Sequence, residues 1–131
     1  MPLVQIAQHA DDLHRAERFY TALLGRAATA RFDPPGLLFY DLDGTRLLLE
    51  EGAPSALLYF RVDGLAERVE SLRISGVPVE GEPRVIFTHE DGRLGPAGHE
   101  EWHAFIRDSE GNLVGLVEHL PTRTDGPRGA G

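Results

Sequence analysis

Two intervals of equal length, Asp12 to Gly25 and Asp63 to Gly76, each follow an apolar, strand-like segment, open on an aspartate and close on a glycine. A short chain that repeats a strand–helix unit in this way is restricted to folds built from two similar halves. In the first interval Leu13, Ala16, Phe19, Tyr20, Leu23 and Leu24 recur at helical spacing, Asp11 or Asp12 is placed to cap the first turn, and Gly25 terminates it. In the second, Asp63 opens a helix that carries Leu65, Val69, Leu72 and Ile74. The segment before the first helix, Leu3 to His9, reads as a strand with Leu3, Gln5, Ala7 and His9 on one face and Val4, Ile6 and Gln8 on the other.

Each helix is followed by short apolar segments set apart by turn formers. After the first come Ala27 to Phe32, Leu37 to Leu42 beyond Pro34-Pro35-Gly36, and Arg46 to Glu50 beyond Asp43-Gly44, a strong hairpin signal. Ser55 to Arg61 is the strand before the second helix, and Val85 to Thr88, His103 to Arg107 and Leu113 to Glu118 follow it. The order strand, helix, three-strand meander is thus expected twice, in modules of about 1–52 and 53–121 within one domain. A loop from Glu90 to Glu100, holding Gly92, Gly95, Pro96 and Gly98, is either a cover over a binding site or a surface excursion. Residues 122–131, with three glycines and a proline, are expected to form a flexible tail.

Composition narrows the function classes. A chain of 131 residues is long enough for one core, burying roughly two-thirds of the surface its unfolded form exposes. It has no cysteine, so catalysis must rest on oxygen and nitrogen groups. A formal charge of -8 with scattered Lys and Arg argues against a nucleic-acid partner. The first twenty residues contain Asp11, Asp12 and Glu17 and no long apolar run, so neither a signal peptide nor a membrane segment is expected, and the cytoplasm is the default location.

The stretch Asp12-Leu13-His14-Arg15-Ala16-Glu17-Arg18-Phe19-Tyr20-Thr21-Ala22-Leu23-Leu24-Gly25 resembles the first helix of the glyoxalase, bleomycin-resistance and extradiol-dioxygenase (vicinal oxygen chelate) superfamily. Trp102-His103-Ala104-Phe105-Ile106-Arg107-Asp108-Ser109-Glu110-Gly111-Asn112-Leu113-Val114 resembles its closing hairpin. The resemblance implies an α+β fold in which two βαβββ modules form a curved mixed sheet around a cavity, and homodimers are common in that superfamily. It implies no single reaction, because lyases, isomerases, dioxygenases and non-catalytic binders share the fold.

Metal-dependent members use one ligand from the first and one from the last strand of each module. Carried onto this chain, those positions fall on Gln5, on Leu48 with Glu50 two residues on, on Leu57 or its register alternative Ala56, and on Gly115. Leucine and glycine offer no side-chain donor. No metal and no cofactor are therefore expected at these positions.

The residues left to line a cavity are Gln5, His9, Glu50, Tyr59, Arg61, Trp102 and His103, with His9, Glu50 and His103 the candidates for acid–base chemistry. Each also has an ordinary structural reading: strand-end or core histidines, and aromatic core packing for Trp102, Tyr59, Phe60, Phe105 and Phe39. His89 and His99 match no compact chelation motif and are expected as solvated loop or strand-end residues; His14 and His119 are expected to be exposed. Gly111 and Asn112 are expected to shape a turn, and Asp12 to cap its helix. The expectation that follows is metal-independent binding of a small molecule, conceivably cationic or aromatic. A lyase or isomerase using His and Glu, a displaced metal site, and a protein-interaction module are the alternatives.

Overall fold

A computed structural model describes residues 1–122; residues 123–131, most of the expected tail, lie outside the described residues. The element order is β1 (Gln5–His9), α1 (Leu13–Leu24), β2 (Ala30–Phe32), β3 (Leu37–Leu42), β4 (Thr45–Glu50), β5 (Leu58–Arg61), α2 (Leu65–Ile74), β6 (Val79–His89), β7 (His99–Arg107) and β8 (Leu113–Pro121). This is the βαβββ order twice, in two four-stranded sheets ordered β1-β4-β3-β2 and β5-β8-β7-β6. The chain divides into two compact units, Met1–Leu58 with Arg107–Val114, and Tyr59–Ile106 with the segment from Gly115 on. The turn between β7 and β8 therefore belongs with the first unit, although the sequence repeat assigns it to the second.

In the first unit β1 pairs parallel to β4, with Gln5 opposite Arg46 and His9 opposite Glu50. β3 pairs antiparallel to β4 and β2. α1 forms where the spacing predicts it. Asp12 accepts the Arg15 backbone N–H at 3.0 Å, and Gly25 at φ 69° ends the helix in the left-handed conformation that a glycine adopts without penalty. Its buried face is Ala16, Tyr20 and Leu23; the Tyr20 ring lies 6.5 Å from that of Tyr40 on β3, and Leu38 and Leu49 are buried in the same unit.

The turn 107–114 is fixed by charge and hydrogen bonds as well as by its glycine. Buried Asp108 accepts the Tyr20 hydroxyl at 2.5 Å and the backbone N–H groups of Glu110 and Asn112 at 2.8 Å. Asn112 donates from Nδ2 to the His9 carbonyl at 2.8 Å. Glu110, its side chain fully buried, takes Arg15 in a bidentate pair at 2.8 and 2.9 Å and also accepts the Asp12 N–H. Gly111, at φ 85°, completes the turn as expected.

Three expectations about the second unit need correction. Asp63 does not cap α2. The N-cap position is Gly64, without a side-chain cap of its own, and the N–H groups of Gly64 and Leu65 donate to the Glu118 carboxylate on β8 at 2.8 and 2.9 Å. The strand before the helix begins at Leu58 rather than Ser55, because Gln8, fully buried, uses its amide to bond both the N–H and the carbonyl of Ala56 at 2.7 and 2.9 Å.

The third correction concerns the second meander. β6 runs from Val79, not Val85, straight through Gly81 and Pro83. Register shifts against β7 accommodate those turn formers; at Gly81 a Cβ would stand 3.3 Å from the Phe105 ring. β7 begins at His99, so the loop spans only 90–98, and His89 and His99 are the directly opposed last pair of the β6–β7 ladder.

Candidate functional site

In the first unit, Gln5, His9 and Glu50 share one face of the β1–β4 pair, as strand parity requires. Gln5 is engaged, accepting Arg46 Nε at 2.9 Å. His9 is enclosed by acceptors: its Nδ1 faces the carbonyls of Glu51 and Ala53 at 2.8 and 3.1 Å, and its Nε2 faces Asp11 at 2.9 Å. Both ring nitrogens must donate to satisfy that arrangement, which favours the imidazolium. Burial pulls the His9 pKa down, but the Glu51 carbonyl and the Asp11 carboxylate outweigh it and hold it above the ordinary value.

In the second unit the sheet divides the expected residues between its faces. Trp102 and Leu120 lie with Glu118 and the first turn of α2 around one cleft. The opposite face gathers Tyr59, His103 and Phe105: the Tyr59 ring centroid is 5.4 Å from His103 and 5.9 Å from Phe105, and the latter pair meets edge to face. Arg61 is exposed. Beneath Tyr59 lies Gly115, where an added Cβ would stand 2.5 Å from the Tyr59 ring and 3.2 Å from Phe105. The backbone there does not require a glycine, but the two rings leave no space for anything larger.

Farther along the same strands, three imidazoles converge on one carboxylate. Glu101 Oε1 accepts His89 Nε2 at 2.7 Å and His119 Nε2 at 3.1 Å, and Oε2 accepts His103 Nε2 at 2.6 Å. The side chains are 3% (His89), 14% (Glu101), 13% (His103) and 20% (His119) exposed, which is dry enough to strengthen each bond. Since a carboxylate only accepts, each Nε2 carries the proton. Burial pushes the Glu101 carboxyl up, but the hydrogen bonds from His103, His89 and His119 outweigh it and hold it below the usual range.

His89 is therefore neither solvated nor in a loop. The segment 90–98 folds back over it: a Cβ on Gly95 would lie 2.7 Å from both Cε1 and Nε2 of the ring, and the Phe87 ring, two residues earlier on β6, sits 4.6 Å away. His119, expected to be exposed, is half-buried within the same group. The parity of Glu101, His103 and Phe105 on β7, and of Gly115 and His119 on β8, was available in the sequence. Treating 90–100 as loop hid the pairing of β6 with β7, which places His89 opposite His99 and diagonally across from Glu101.

No family model matches the chain, and no curated protein matches it. Solved structures do. A member of the glyoxalase/bleomycin resistance protein/dioxygenase superfamily from Sphaerobacter thermophilus superposes with a TM-score of 0.68 at 18% identity, covering 90% of this chain and 97% of that one. A lactoylglutathione lyase from Agrobacterium tumefaciens gives 0.64 at 23% identity, covering 89% and 92%. TnmS3, an antibiotic binding protein from a Streptomyces species, gives 0.64 at 21% identity, covering 91% and 96%. The chain has the glyoxalase/bleomycin-resistance fold.

The positions that the resemblance assigns to metal ligands, Gln5, Leu48, Leu57 and Gly115, do not suit a cation here. Gln5 spends its carbonyl oxygen on Arg46, Leu48 is buried in the core and Leu57 is exposed and apolar. At Gly115 the Tyr59 ring occupies the space a carboxylate side chain would need. A divalent ion requires several oxygen or nitrogen donors at short range, and of these four residues only Gln5 has a side-chain donor, with Glu50 displaced two residues along β4 from Leu48.

Proposed function

We propose that the chain binds a planar, aromatic small molecule on the sheet face that carries Tyr59, His103 and Phe105, without a cation at the fold's customary positions. The observation that supports this most is the Tyr59 ring lying on Gly115. Where the fold's metal-dependent members carry a carboxylate, this chain has a glycine with an aromatic ring packed over it, and that ring is still half-exposed. An exposed ring backed by Phe105 and His103 is a stacking platform for another flat π-system. The likeness to TnmS3, described as an antibiotic binding protein, is consistent with this reading.

Binding is tested by calorimetric titration of planar aromatic probes in neutral, cationic and anionic forms. Saturable binding of at least one class is expected, with Tyr59→Ala weakening it about tenfold, the loss of one stacking contact of about 1–1.5 kcal/mol. Failure of every probe class to saturate would sink the reading. A lyase or isomerase with His103 as acid or base is the second reading, favoured by the 2.6 Å contact that fixes His103 Nε2 on Glu101. It requires that His103→Gln abolish turnover out of proportion to any loss of probe binding.

A further inference from the structure

Among the described residues, one group of histidine and carboxylate side chains brings three donor atoms together: those of His89, Glu101 and His119 lie within 4.8 Å of one another. We propose that these three residues form a binding site for a first-row divalent cation, zinc foremost, away from the fold's customary metal positions, with His103 fixing the carboxylate from its far oxygen. The proposal does not rest on the ligand-binding reading above and concerns a different part of the same sheet.

The donor set carries the choice of ion. Two neutral imidazoles and one carboxylate are the ligands of open zinc sites and of facial-triad centres, which leave coordination positions for water or substrate. Calcium and magnesium prefer oxygen donors throughout and are disfavoured by the two nitrogens. The charge also suits the ion, since Glu101 offsets one positive charge and, among the described residues, the side-chain hydrogen bonds to its oxygens come from three imidazoles.

Two of the three donor spacings are close to what an ion would take, and the third, between the two imidazole nitrogens, lies within 4.8 Å. Ligands about 2.0–2.1 Å from a tetrahedral zinc stand roughly 3.3 Å apart. The two contacts now present, His89 to Glu101 at 2.7 Å and His119 to Glu101 at 3.1 Å, are hydrogen bonds that an inserted ion would open by well under 1 Å each on that estimate. Each imidazole would move its proton from Nε2 to Nδ1 and stay neutral. The ligands come from β6, β7 and β8, three successive strands rather than loop tips, so the site is held by the sheet ladder.

Two neighbours are arranged as supporting partners of a metal site are. His103 donates to Glu101 Oε2 at 2.6 Å, which orients the carboxylate and leaves Oε1 for the ion. Gly95 lies against the Nε2 edge of His89, where any side chain would press on the donor atom itself.

The full-length chain, stripped with chelator and then dialysed against micromolar zinc, should retain about one equivalent by elemental analysis. Cobalt loading should give the intense visible bands of a site with fewer than six ligands. His119→Ala and Glu101→Gln should each weaken zinc binding more than about 100-fold, beyond what loss of an outer partner costs, whereas His103→Ala should weaken it about 10- to 100-fold. His99→Ala, whose Nδ1 bonds the Ala97 carbonyl rather than Glu101, should bind as the parent does. Circular dichroism checks that each variant is folded, and His119→Gln serves if His119→Ala is not. A parent chain that loses its zinc on dialysis, or zinc retained undiminished by both His119→Ala and Glu101→Gln, would overturn the proposal. Probe titrations on stripped protein report separately on the aromatic ligand.

Discussion

Glu110 shows how one residue ties the closing turn to the first helix. Its carboxylate is buried yet takes a bidentate guanidinium, a backbone N–H and the Ser109 hydroxyl. Burial alone would raise its pKa, but Arg15 first, then Asp12 N–H and Ser109, outweigh it and hold it at about 2 against an ordinary 4.5. A carboxyl depressed in the folded state contributes stability that is fully present above its unfolded pKa and lost as pH falls through its folded value. The contribution of Glu110 should therefore be complete above about pH 4.5 and drain away between there and pH 2. A shift of that size is worth about 3 kcal/mol. Glu110→Gln should lower the urea-unfolding free energy by roughly that amount at pH 7 and by much less near pH 2.5. An equal loss at both pH values would mean that shape, not charge, is what the turn needs.

Among the elements, the helices divide by how they are capped. α1 is capped by its own Asp12, and this was legible because an aspartate stands immediately before an amphipathic run. α2 is capped at long range by Glu118, and no local pattern announces a partner so far along the chain. Glu118→Ala strips two N–H groups of their acceptor and a negative charge from a helix N-terminus, so it should cost about 1–2 kcal/mol of stability. Chemical denaturation of Glu118→Ala against the parent measures it, and Asp63→Ala, which removes no cap, should cost less. The same contrast explains what else was readable. Alternation and helical spacing report which face of an element a residue occupies, so Gln5 with His9, and His103 with Phe105, follow from parity, whereas the place of Tyr59 beside the latter pair is set by the sheet. Register shifts break that parity between Val79 and Gly81, between Gly81 and Arg84, and between Val85 and Phe87, so the true reach of β6, and with it the burial of His89 against Glu101, depended on pairing with β7 that only the fold supplies.

At the scale of the whole molecule, the second sheet ends in β6, an edge strand with an exposed apolar run. Val85, Ile86 and Phe87 are 40%, 39% and 39% exposed, three in succession where alternation would hide every second one. The cause is a bulge: Val85 stands opposite Trp102 and Phe87 opposite Glu101, so Ile86 is the extra residue and has no partner on β7. Bulges spoil an edge for open-ended strand addition, yet contiguous apolar side chains on it favour burial against a matching surface. We propose that a second copy of the chain covers this patch, giving a homodimer held by Val85, Ile86 and Phe87 rather than by a continuous ladder. A two-fold arrangement presents the same patch from both copies and closes on itself, which fits a run as short as this one. Sedimentation equilibrium over a wide concentration range should show dimer at tens of micromolar, as is common for interfaces of about micromolar affinity. Ile86→Lys places a charge in the centre of the contact without touching the β6–β7 pairing, and should raise the dissociation constant at least about tenfold, the cost of losing one buried apolar side chain. A parent chain that stays monomeric at every concentration, or an Ile86→Lys dimer as tight as the parent, would remove this edge as the interface.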